Sequence, residues 1–321
     1  MTAGRFILTR MLMRRVSGKF WLRWFSLVLI GVICFTIVFV TVADKRTFSV
    51  VARSLGGEIT FQGELNDWLI ERGSICKLRD LPDLRIPPTE DASPCDPRIY
   101  TTTVVTDYAL EWRDGTVVTW KRHASGALQF SMLEGTSEEM EPGSLLVISD
   151  IDWRNHGALA FQGVVRIGST IATGSDDYLL EGSWQALQSG LAASLFRDVT
   201  DVVQSGSLSR GLAVDFHRLG SPKDTDEETV ISYGHLTPAD GDEKGAIIAL
   251  LTEHAPVSLR INYFGLREPA LFRPDWIDTI SSSTMLVAIA VIFSLLLGIL
   301  ELLNAIALRW NGNSQNINTS K

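Results

Sequence analysis

The sequence predicts a membrane protein in which two transmembrane α-helices flank a predominantly β, sandwich-like domain holding one amphipathic helix. Three observations lead there. Two long apolar runs carry no charge, a basic block precedes the first run, and strand-period alternation fills the interval between them. The chain has 321 residues, a net charge of −8 and only 21% charged side chains. Its mean hydropathy of +0.14 excludes a disordered chain. The acidic balance also excludes a nucleic-acid binder, which needs a stripe of Lys and Arg.

In chain order, residues 1–23 form a basic tail with Arg5, Arg10, Arg14, Arg15, Lys19 and Arg23 and no acidic residue. Residues 24–43 carry no charge and form the first predicted span. A helix rises about 1.5 Å per residue, so roughly 20 residues cross a hydrocarbon core of about 30 Å. The second span is predicted over residues 279–308, with only Glu301 charged, and residues 309–321 are a polar tail. Basic flanks stay in the cytoplasm, which puts both termini inside. Trp24 beside Arg23 and Trp310 beside Arg309 read as inner-interface anchors, and Trp276 as the outer one.

Residues 44–278 are then left outside, with 21 basic and 36 acidic residues and a net charge of −15. No Asn-x-Ser/Thr sequon lies among them; Asn318-Thr319-Ser320 falls in the tail. That points to a bacterial inner membrane and its periplasm. Cys76 and Cys95 stand alone in this oxidising setting and are expected to pair, closing a loop of about twenty residues worth about 3 kcal/mol.

Strands are predicted at 57–61, 99–105, 127–133, 144–151, 158–167, 211–217, 229–235, 246–251 and 257–264. A hairpin is predicted over residues 108–120, turning at Asp114-Gly115 and pairing Trp112 with Trp120. Turn residues at Ser205-Gly206-Ser207 separate two of the strands. From Trp184 to Val203 the residues Trp184, Leu187, Leu191, Leu195, Val199 and Val202 share one helical stripe, which predicts the amphipathic helix. That helix divides a distal β-rich part, residues 44–182, from a membrane-proximal part, residues 183–278. GEITFQG at 57–63 and GALAFQG at 157–163 echo each other, without the regular period that marks a repeat.

The search for chemistry finds little. Gly-x-Ser-x-Gly, His-Glu-x-x-His and Walker A patterns are absent, and His123, His156, His217, His235 and His254 are scattered singly. Asp224, Asp226 and Glu228 start like a calcium loop that fails at Thr229 and His235. No cofactor or metal is expected. Trp112, Trp120, Trp153 and Trp184 read as core, with stacking on a sugar as the rival. In the second span Ala290, Ser294 and Gly298 line up at helical spacing, with Glu301 below them, as a face where another helix can approach. The cytoplasmic tails are too short to hold an enzyme domain. The expectation is therefore a non-catalytic envelope component: a scaffold, accessory subunit or sensor partnered by lipid, other membrane subunits or its own copies. A glycan- or lipid-binding module is the second reading, and a membrane-anchored hydrolase the third.

Overall fold

The computed structural model describes residues 30–31, 33, 46–87, 94–137, 140–169, 176–189, 200–218, 230–240, 243–264, 266, 268–273, 288, 290–299 and 301–302. The β unit comprises Asp44–Ser189 and Thr200–Asp275. Its strands are β1 (Thr47–Ser54), β2 (Gly56–Phe61), β3 (Asp67–Leu78), β4 (Tyr100–Glu111), β5 (Val117–Arg122), β6 (Leu128–Glu134) and β7 (Leu145–Ile148). A short helix, α1 (Asp150–His156), follows. Then come β8 (Leu159–Ile167), β9 (Leu179–Ser189), β10 (Thr200–Leu208), β11 (Ala213–Arg218), β12 (Ser232–Pro238), β13 (Ala246–Thr252), β14 (Val257–Asn262) and β15 (Ala270–Phe272).

All fifteen strands join one antiparallel sheet rather than two stacked sheets. Its main path runs β10-β9-β1-β13-β12-β8-β2-β5-β6-β7-β3-β4, and β11, β14 and β15 branch from β8. The centre of the path is a local two-fold. Phe61 pairs with Gly163, and the Gln62 amide donates to the Gln162 carbonyl at 3.0 Å. The two FQG echoes therefore lie side by side, antiparallel, with Gln62 and Gln162 at the axis. Six strands extend on each side in matching order: β2-β5-β6-β7-β3-β4 and β8-β12-β13-β1-β9-β10. The slot that β7 fills on one side is filled on the other by β1, the first strand of the chain. Gly163 is required at the axis, since a Cβ there would sit 2.1 Å from the Thr60 carbonyl oxygen.

Alternation drives most of the strands onto a common core. In β1, Phe48, Val50 and Ala52 point inward and are fully buried, while Val51 stays exposed. On the first side Phe61 stacks on Trp112 at 5.0 Å, and Trp68 meets both rings edge-on. On the second side Trp184 packs against Phe48 and Phe272. The β3–β4 hairpin turns a corner partway along. Trp68 and Ile70 are buried before the corner, and Gly73 and Ile75 after it. Glu71 and Asp107 drop out of the register between them, and Asp107 takes φ 50°.

Several sequence expectations are corrected. Residues 184–189 and 200–203 are strand, not amphipathic helix; residues 190–199 lie outside the described residues. Trp184 and Ala186 point inward and Ser183 and Gln185 outward, a two-residue period hidden because Ala, Gln and Leu also suit a helix. Hydrogen bonds from β1 and β10 on the two edges of β9 decide it. The division after residue 182 falls inside β9. Asp114-Gly115 does turn the chain, with Gly115 at φ 81°, but β4 pairs with β3, and β5 with β2 and β6. The turn is bolted to β2 through Gly115 N–H to the Phe61 carbonyl at 2.9 Å, so Trp112 and Trp120 are not a cross-strand pair. Ser205–Ser207 is interior to β10, where Gly206 makes room for the Trp184 indole. The strand expected over 144–151 stops at Ile148, and Ser149 caps α1 by accepting from Asp152 N–H at 3.1 Å.

Of the predicted spans, residues 30, 31 and 33 of the first are helical and exposed, as are 288, 290–292, 294–299, 301 and 302 of the second, with Phe293 helical and half-buried. Among the described residues no helix is long and apolar enough to cross a membrane.

Candidate functional site

The expected disulfide is present. Cys76 on β3 and Cys95 in the β3–β4 connection are bonded with Cα atoms 5.9 Å apart, buried with Leu145 and against Tyr100 and Val147. The connection is further held by Arg79 Nε, which donates to the Pro97 and Tyr100 carbonyls at 3.0 and 3.2 Å. Arg98 Nε reaches the Asp96 carboxylate at 3.0 Å, and this hydrogen bond holds the Asp96 carboxyl below its ordinary value. The described residues of this region brace one another at the surface.

An open cleft of about 360 Å³ lies at the start of the same hairpin, lined by Asp67, Leu69, Tyr108, Glu111 and Ser137 beside Trp68. Asp67 and Glu111 face each other across the ladder, and like charges in that position repel. Ser137 Oγ donates to the Glu111 carbonyl at 3.3 Å. The carboxylates of the lining are Asp67 and Glu111, and the Ser137 hydroxyl bonds to a backbone carbonyl rather than to either of them.

Two ionic networks brace other parts. Asp215 on β11 is nearly buried and accepts from Arg260 Nε on β14 at 2.6 Å, with Arg166 and His217 both 3.8 Å away. Near α1, Arg122 Nη2 donates to Asp150 at 2.6 Å while its guanidinium lies 5.1 Å over the Trp153 ring. Burial pulls the Arg122 guanidinium below its ordinary value, and Asp150 opposes that shift. Each network joins strands or a helix that are distant in sequence, which is a structural task.

The other sequence candidates fare differently. Trp112, Trp120, Trp153 and Trp184 are all buried, so none of these four is open to stack on a sugar. His123 bonds to Gln129 and His254 to Thr47; among the described residues no group of His, Cys, Asp and Glu could hold a metal. Arg14, Arg15, Arg23, Trp24, Trp276, Arg309 and Trp310 lie outside the described residues, as do Asp224, Asp226 and Glu228. Ala290, Ser294, Gly298 and Glu301 are all helical and exposed, and a side chain added at Gly298 would meet nothing within 4 Å. Sequence reasoning missed that β4 ends the path of the described strands, because edge position follows from strand order. Compared with known protein families, curated proteins and solved structures, the chain matches none.

Proposed function

We propose that the chain is a non-catalytic scaffold of a bacterial envelope, held in the inner membrane by residues 24–43 and 279–308, with both termini cytoplasmic and the β unit periplasmic. The observation that carries this reading is where the chain enters and leaves the β unit. Arg46 at the entry exchanges backbone hydrogen bonds with Ala255. Phe48, just inside, and Phe272, just before the exit, both pack on Trp184, with ring centroids 6.2 and 5.0 Å apart. Entry and exit therefore adjoin, as two spans anchoring one domain from a single side require. The helical residues beyond the exit support the same reading. Val291, Ile292, Leu295, Leu296, Ile299 and Leu302 are each about half exposed or more. Water disfavours so much bare apolar surface, and lipid accepts it.

The scaffold assignment rests on the bracing just described: the polar clusters tie strands together and supply no reacting group. Reporter fusions test the topology. A periplasm-active reporter joined after Gly126 is expected to work, and a cytoplasm-active one after Trp310. The reverse pattern would sink the reading.

A further inference from the structure

We propose that β1 is a coupling strap: it closes the second half of the sheet from a place in the chain that belongs to the first, so the second half stays closed only while the first is folded. The first half is β2-β5-β6-β7-β3-β4 and the second β8-β12-β13-β1-β9-β10. Their inner strands match in register as well as in order. Ile59 pairs with Val118 and Val118 with Met132, while Leu159 pairs with Leu236 and Leu236 with Ile248. The slot beside each inner hairpin is filled differently. In the first half β7 follows β6 along the chain and pairs with it directly, with β3 on its other edge. In the second half β14 follows β13 but pairs with β11 and β15 instead. The slot between β13 and β9 goes to β1, whose Phe48, Val50 and Ala52 are fully buried. There the Phe48 amide donates to Thr252 Oγ1 at 2.9 Å, across 204 residues of chain.

The link from β1 to the first half is one residue, Leu55, and it is held from both sides. Its N–H donates to the Tyr178 carbonyl, just ahead of β9, at 3.1 Å, and its carbonyl accepts from Arg122 N–H at the end of β5 at 2.8 Å. Gly56 beside it has no room for a side chain, since a Cβ would lie 2.7 Å from Asp177 Cβ and 2.8 Å from the Trp120 carbonyl oxygen. With β2 seated on β8, Leu55 delivers β1 straight to its slot. Once the first half opens, residues 55–158 become the loop that must close to return it. Closure weakens as the 3/2 power of loop length, so growth from one residue to about 100 loosens the hold on β1 by roughly a thousandfold. The second half then lacks a central strand, and the facing edges of β13 and β9 lose their partner.

The proposal does not depend on the membrane reading and is tested on the full chain in detergent, by hydrogen exchange read by mass spectrometry. Leu128→Ala empties a fully buried position on β6, in the first half. It is expected to speed exchange in β9 and β13 of the second half as much as in β3 and β6, by about tenfold or more. In a Cys34→Ala background that keeps the Cys76–Cys95 bond, Ser49→Cys with Leu251→Cys places two thiols directly opposite each other, and oxidation fixes β1 in its slot. Under that bond Leu128→Ala should still speed β3 and β6 while β9 and β13 remain slow. If Leu128→Ala misfolds, the milder Val118→Ala on β5 makes the same test. Unchanged exchange in β9 and β13 of the unbonded variant overturns the proposal, because the halves would then open separately. Equal speeding of both halves with the bond in place also overturns it, because the coupling would then run through the β2–β8 seam.

Discussion

Asp107 is the one non-glycine residue among the described residues with a positive φ, and it sits where both strands of a hairpin change the face they bury. An L-residue in that region costs about 1–2 kcal/mol, with Asp among the less penalised types. Asp107→Gly is expected to keep or slightly raise stability, and Asp107→Val to lower it by about 1–2 kcal/mol. Urea unfolding of the two variants checks this; equal midpoints would mean the corner is not strained. Arg122 poses a different residue-scale problem, a nearly buried cation answered by Asp150. Removing the anion leaves an uncompensated charge, so Asp150→Ala should destabilise by about 3 kcal/mol, while Arg122→Met, which removes the charge itself, should cost clearly less. The reverse ranking would show that Asp150 matters only as part of α1.

At the scale of elements, the β3–β4 hairpin is the most heavily constrained part of the β unit. A corner, a disulfide and the contacts of Arg79 all act within it. Replacing both Cys76 and Cys95 by Ser should lower stability by about 3 kcal/mol through loop closure. Proteolysis should then begin in the connection between residues 79 and 99, and cleavage elsewhere first would show that the bond acts globally. Acid should loosen the same connection. Asp96 has a folded pKa held below its unfolded value by Arg98, so its contribution is present above the unfolded value and is lost as pH falls through the folded one. Being a partly exposed surface pair, it adds only a shallow slope on the acid side.

At the scale of the whole molecule, chain order and sheet order diverge. β1 begins the chain yet lies between β13 and β9, bonded along both edges, whereas β4 and β10 end the path. Native-state hydrogen exchange should follow sheet position: slow amides in β1 and β13, fast ones along the outer edge of β10. Fast exchange throughout β1 would contradict its central position.

The sequence by itself determined a β-rich unit between two apolar segments, most strand positions, and the Cys76–Cys95 pair, because alternation, turn residues and cysteine count are local signals. β8, β13 and β14 lie within a few residues of their predicted bounds for that reason. Only the tertiary structure decided that Trp184 lies on a strand, that β4 and β5 are not a hairpin, and that one sheet replaces a sandwich. Each of these depends on which distant segment supplies the hydrogen-bonding partner: β1 for β9, β3 for β4, β2 for β5. The place of β4 at the end of the path belongs with them. A strand reads the same at the edge of a sheet as at its centre, and only its neighbours, hundreds of residues away in the case of β1 and β13, fix which it is.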